Sequence, residues 1–348
     1  MTRTVRIAAV QMDVRPAPTA ERLARAHELV RNAARSSAQL VVLPELFNTG
    51  YAYTAANFQL AESLEEVSVS WMRQTAAELN IHLAGSILLR ENGDIYNALL
   101  LFSPRGQMWR YDKRYPWAWE RGYFRERKNS MTVAQTDVGD WGMLICWDIG
   151  HPALWRQYAG RVDGMLVVSC PPEGTNPTYH FPDGRQITFD DLGPMMAALK
   201  GSGNRVFGDM LNQQTAWLGV PCVNSGAAGY CHTPLPRGRA SLLSLLPLAP
   251  ANARYLWSAD RVQMSCVMIA ACKIVDAEGK VVAQRAPDTG EGFAIADVNL
   301  APTRPVPLGA QPVTSLGWWA YFSADVLIPW LMRPVYAHGI ASLARHSQ

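Results

Sequence analysis

Apolar positions along this chain recur with two periods, and the alternation between them marks out the elements. Residues 5–10 read as a first strand. Beyond Thr19, the spacing of Leu23, Ala26, Leu29, Val30, Ala33 and Ala34 puts one apolar face on a helix, with Thr19 expected as its N-cap. Residues 40–43 are wholly apolar, and Pro44 closes that strand immediately before Glu45. A second helix is predicted over roughly 68–79 and a strand over 81–87. Strands at 95–102 and 108–111 are joined by Ser-Pro-Arg-Gly-Gln, a turn sequence. Gly142 bounds the apolar run 143–145, Cys146 ends it, Pro152 opens a helical segment, and 165–168 is the next strand. Helical spacing returns over 206–218 with Gly219 as C-cap, followed by strands at 220–223, 265–270, 273–275 and 293–298. Helices alternating with apolar strands predict an α/β fold.

Three stretches break this rhythm. Residues 170–204 are rich in Gly, Pro and Asp and read as a long surface excursion with a short helix near 194–200. Residues 229–263 form a second insertion, which contains the apolar patch Ala-Ser-Leu-Leu-Ser-Leu-Leu-Pro-Leu-Ala-Pro. Residues 302–312 are proline-rich, and 316–332 are apolar and aromatic but interrupted by Asp325 and Pro329. That last run is too short and too broken to span a bilayer. The reading preferred for it is packing on the domain or on a partner subunit, with membrane-surface binding second. The simplest division is one domain over 1–300, with insertions near 171–204 and 229–263, and a linker and tail over 301–348.

Composition narrows the class. The 348 residues are 49% hydrophobic and 18% charged, enough to bury one large core or two modest ones. A net charge of +3 without any Lys/Arg block argues against nucleic acid. The six cysteines lack CxxC spacing, and three lie in apolar runs, so free thiols in a reducing compartment are expected. The seven histidines lack metal-ligand spacing, so no metal is expected. Residues 1–12 lead almost directly into a strand without a signal-peptide core. A soluble, cytoplasmic, enzyme-sized protein is the expectation.

The candidate chemistry sits at strand ends. Cys146 lies between a strand and a helix, where backbone N–H groups lower a thiol's pKa and can receive an oxyanion. Glu45 follows a buried strand, where a carboxylate needs a partner. Lys113 and Glu120 share an aromatic-rich loop and would pair with each other or with a substrate. Each of these has an ordinary structural reading as well: a buried cysteine, a loop cap, a solvated surface loop.

Together, Leu-Pro-Glu-Leu-Phe at 43–47, Tyr-Asp-Lys-Arg-Tyr at 111–115 and Gly-Met-Leu-Ile-Cys-Trp-Asp-Ile-Gly-His-Pro at 142–152 resemble the Glu, Lys and Cys motifs of the nitrilase (carbon–nitrogen hydrolase) superfamily, in the family's order. Framework segments at 96–97, 103–107, 223–226, 274–283 and 290–300 extend the resemblance over about 3–300, apart from the insertions. It implies a four-layer α-β-β-α sandwich with two central mixed β-sheets, no metal or organic cofactor, and assembly as a homodimer or larger oligomer. Trp155 and Tyr158, in the helix after the cysteine, are expected at the two-fold contact. Cys146 is the implied nucleophile, Glu45 the proton carrier, Lys113 the oxyanion's cation and Glu120 the second glutamate. Trp147, Tyr53 and Trp119 are named as substrate- or oxyanion-contacting. The sequence departs from the family at Tyr115, where His is frequent, and at 150–153, where many amide-cleaving members carry Arg-Phe-Pro-Glu. Asp148 in place of Glu leans away from nitriles. The implied function is hydrolysis of a non-peptide C–N bond, amide or carbamoyl, through a cysteine thioester. Acyl transfer to an amine, nitrile hydrolysis and a non-catalytic binding role are the alternatives.

Overall fold

The structure is a computed structural model that describes residues 3–129, 131–171, 177–244, 246, 250–269, 271–313 and 316–346. Five strands build one half of a sandwich: β1 (Arg3–Asp13), β2 (Leu40–Val42), β3 (His82–Glu91), β4 (Asp94–Phe102) and β5 (Met108–Asp112). They lie in the order β5-β4-β3-β2-β1, with β1, β2 and β3 parallel and β4 antiparallel to both β3 and β5. The helix Thr19–Arg35 and the helix Val67–Glu78 link the parallel strands. Leu23, Ala26 and Val30 of one, with Val69 and Met72 of the other, pack on Ala8, Val10, Val41 and Leu83 of the sheet's outer face. Pro18, not Thr19, takes the cap position, without a side-chain bond.

The other half comprises β6 (Val133–Thr136), β7 (Gly139–Ile145), β8 (Gly164–Ser169), β11 (Cys222–Ala228), β14 (Lys273–Val275) and β15 (Val281–Gln284), in that spatial order. The helices Pro152–Tyr158 and Leu211–Leu218 cover its outer face. Gly142 permits this packing, since a Cβ there would stand 2.8 Å from the Tyr158 ring. Strand β16 (Gly292–Leu300) runs antiparallel to β1, and β1 pairs with β11 through Gln11–Gly226 to Asp13–Ala228, which joins the halves. The inner faces of both halves share one core, with Ile7, Val42, Leu99 and Leu101 meeting Trp141, Met143, Val167 and Val223. The expected four-layer α-β-β-α sandwich is therefore observed.

Two expectations are corrected. The first insertion is not a surface excursion. Strands β10 (Gln186–Ile187) and β9 (Thr178–His180) of the first and β12 (Tyr230–Pro234) of the second join β13 (Gln263–Val267), where a strand was expected, in a separate four-stranded sheet ordered β10-β9-β13-β12. Tyr179, Phe181, Ile187 and Leu192 are buried there. Part of the apolar patch (245, 247–249) lies outside the described residues, as does 172–176 of the first insertion. Trp155 and Tyr158, placed at a subunit contact, are instead 0% and 1% exposed within the single chain. The Trp155 indole donates to Ile149 O at 3.0 Å and the Tyr158 hydroxyl to Met143 O at 2.8 Å. They are core residues that brace the end of β7.

The tail folds back as helical segments Trp318–Phe322, Ser323–Leu327 and Ile328–His346. Met332 and Tyr336 are buried, and the Tyr336 hydroxyl donates to Asp94 while accepting from Ile95 N. Its outer face leaves Trp318, Phe322, Val326 and Trp330 exposed at four-residue intervals. Among the described residues, no helix is long and apolar enough to cross a membrane.

Candidate active site

Three strand ends converge on one buried spot. Glu45 leaves the end of β2, Lys113 the end of β5, and Cys146 the end of β7. Left-handed backbone lies close by: Leu46 at φ 51° after Glu45, Ala118 at φ 44° two residues before Glu120, and Cys146 itself at φ 50°. Such conformations cost roughly 1–3 kcal/mol in non-glycine residues and gather where a side chain must be aimed. At Cys146 the strand turns sharply into the 3₁₀ segment Cys146–Gly150 and then into the helix Pro152–Tyr158, a nucleophile-elbow geometry.

Lys113 is the hub. Its Nζ donates to Glu45 Oε1 at 2.8 Å and to Glu120 Oε2 at 2.7 Å, with all three side chains 0–2% exposed. Asn97 Nδ2 also donates to Glu45 Oε1 at 2.7 Å, and the Lys113 backbone N–H donates to Asn97 O. Glu120 accepts further from the Tyr51 hydroxyl and from Trp117 N, both at 2.7 Å. Glu45 Oε2 is buried and without a hydrogen-bond partner among the described residues. An ammonium has three donors, so Lys113 keeps one N–H beyond its two carboxylates.

The electrostatics correct one expectation. Burial would lower the Lys113 pKa, but Glu120 and Glu45 override it and hold the ammonium well above the usual lysine value. Burial pushes Glu120 up, against the pull of Lys113. Cys146 was expected to have a lowered pKa. Burial first, and then the Glu45 charge, push it well above the ordinary thiol value despite Lys113. Burial, and after it the Glu45 and Glu120 charges, thus favours the neutral thiol.

Asp148 locks the elbow to the lysine loop. It is fully buried and accepts from the Tyr111 hydroxyl and Tyr115 N, both at 2.8 Å, and from Ile145 N at 3.2 Å. The tail reaches the same place. Asp325 accepts from Trp147 Nε1 at 2.8 Å and pairs with His151 Nε2 at 2.9 Å. The His151 ring stacks on Tyr115 with centroids 3.6 Å apart and planes 9° apart, and Tyr321 donates to Gly150 O. Tyr115 and His151, two of the departures from the family's pattern, thus touch each other, and His151 is tied to the tail through Asp325.

A cavity opens above the elbow. Cys146, Trp147, Trp119, Glu120 and Tyr51 form its floor. Tyr53 stays outside its wall, with its hydroxyl 2.8 Å from that of Tyr51, and buttresses the Glu120 side instead of meeting a ligand. Sequence reasoning gave no site role to Tyr51, Asn97 or Asp325, although Asn97 lies in a framework segment of the resemblance.

Comparison with known proteins adds context. The profile of the carbon-nitrogen hydrolase family matches residues 6–186, more than half of the chain. A nitrilase of Pyrococcus abyssi is 27% identical over 170 residues, covering 48% of this chain and 64% of that protein. A 2-oxoglutaramate amidase of Bacillus subtilis is 27% identical over 168 residues, 47% of this chain and 64% of its own length. An omega-amidase of Xenopus tropicalis is 31% identical over 175 residues, 47% and 62% respectively. The chain thus spans under two-thirds of each of these relatives. A solved variant of the amidase from Nesterenkonia sp. AN1, with acrylamide added at its active-site cysteine, superposes at a TM-score of 0.61. It is 18% identical, over 84% of this chain and 92% of that one.

Proposed function

The chain belongs to the carbon-nitrogen hydrolase family, and on that premise we propose that it hydrolyses amides through a thioester on Cys146. The amide-named relatives support the reaction class. The observation that carries the proposal is the Lys113 ammonium clamped between two buried carboxylates, beside a thiol on a strained elbow at the floor of a cavity. Structural ion pairs rarely spend so much desolvation next to an accessible cavity.

The chemistry follows from the atoms. The neutral thiol gives its proton to Glu45, whose unpartnered Oε2 is free to take it, as Sγ bonds to the carbonyl carbon. The remaining Lys113 N–H and the Trp147 backbone N–H stabilise the oxyanion, each such donor being worth roughly 3–4 kcal/mol. Glu45 passes its proton to the leaving nitrogen as the C–N bond breaks. Water then attacks the thioester, gives a proton to Glu45, and the returning thiol takes it back. Glu120 touches no reacting atom. It positions Lys113 and, by its charge, helps to keep the thiol protonated.

Ammonia release from simple amides tests this directly. Cys146→Ala is expected to abolish turnover while the fold persists, the truncation being small. Retained activity in that variant would overturn the proposal.

A further inference from the structure

The cavity above Cys146 differs in kind from the charged cluster beneath it. Its walls include Phe181, Leu192, Val206, Leu242, Met264 and Ala324. They come from both insertions, the Asn204–Met210 turn and the tail, largely beyond the segment that the family profile matches. Among the described lining residues, Glu120 is the only charged side chain, and there is no lysine, arginine or histidine. The polar lining atoms are mostly engaged already. Trp119 Nε1 donates to Ser241 Oγ, Ser241 to Pro236 O, Ser244 to Ser241 O and Ser323 to Ala320 O. Trp319 Nε1 is buried and has no partner among the described residues.

Resting on the amide-cleaving reading above, we infer that the substrate is an uncharged amide whose larger substituent is an alkyl chain or aromatic ring. Such walls reward apolar area by about fourfold in affinity per buried methylene. They offer a carboxylate no counter-ion, so an acidic substituent would be buried unpaired. Trp319 Nε1 offers a buried donor to an acceptor on that substituent.

The test is the chain-length dependence of kcat/KM for the intact protein. From acetamide to hexanamide the value should climb about fourfold per methylene, about two-hundredfold in all. Succinamate, with a carboxylate where 4-methylpentanamide has an isopropyl group, should fall roughly a hundredfold below it. A flat series, or succinamate equal to its isostere, would overturn the inference. Titrating the cavity's tryptophan emission in Cys146→Ala separates the two layers. If hexanamide binds that variant more tightly than acetamide while the wild type hydrolyses neither, the cavity assignment stands and the amide-cleaving reading fails. If the variant shows no preference for hexanamide, the cavity assignment itself is wrong.

Discussion

Glu120 gives a two-variant experiment in which charge and shape separate. Its carboxylate holds the Lys113 ammonium, Trp117 N and the Tyr51 hydroxyl, each at 2.7 Å. Glu120→Ala removes all three acceptor contacts in a dry site. Breaking a buried pair costs about 3–5 kcal/mol, a large share of the roughly 5–15 kcal/mol of a whole domain. Glu120→Gln keeps the shape. Its amide oxygen can replace Oε2 towards Lys113 and Trp117, while the NH₂ faces a Tyr51 hydroxyl that turns to donate to Tyr53. Only the charge is lost, and about 1–2 kcal/mol is the expected cost. Both variants should lower the Cys146 pKa, since Glu120 is one of the charges that raise it. Urea unfolding reads the stabilities, and the pH dependence of iodoacetamide labelling at Cys146 reads the thiol. Equal stability losses, or a thiol pKa that rises in either variant, would refute the reasoning.

Two further perturbations follow from the same structure. Asp325→Ala removes the carboxylate that ties the tail to Trp147 and His151, at about 2–4 kcal/mol for two charge-assisted contacts; proteolysis within 301–313 should accelerate and turnover fall, whereas unchanged cleavage and rate would mean the tail is not braced there. Lys273 is buried against Gly208 O and Asn212, and burial depresses its pKa to about 8. A lysine depressed in the folded state destabilises most where both states are charged, below about pH 8. Stability should therefore recover by about 3 kcal/mol as pH rises from about 8 towards the ordinary lysine value, and Lys273→Met should lack that rise in a pH series of unfolding curves.

Much of this was legible in the chain because strong local patterns coincide with the fold. Apolar runs at 40–43 and 143–145 read as strands because they lie in the sandwich's interior, and Glu45 and Cys146 stand out by ending them. Gly219 reads as a C-cap because a left-handed residue is needed there, and its φ is 67°. The remainder depends on contacts between distant residues. Asn97 and Tyr51 meet Glu45 and Glu120 only after β2, β4 and the lysine loop are assembled. Asp325 reaches Trp147 across 178 positions of sequence. The helix Pro152–Tyr158 is too short for periodicity to say which face is buried, so Trp155 looked available when it is enclosed. The insertions' strands β9, β10 and β12 are only two to five residues long and of mixed polarity, which hides the sheet that they build with β13. The raised thiol pKa follows from burial beside two carboxylates, a balance that the strand–helix position alone does not convey.

The central claim is that Glu45 serves both halves of a covalent reaction on Cys146, and Glu45→Gln isolates it. A p-nitrophenyl ester has a leaving group that needs no proton, so the variant's thiol should still be acylated, slowly. Without a base to activate water, the thioester should persist. Mass spectrometry after brief exposure should then find one acyl group on the peptide that carries Cys146, stable over the time in which the wild type turns over many times. No adduct, an adduct on another cysteine, or deacylation at the wild-type rate would contradict that claim.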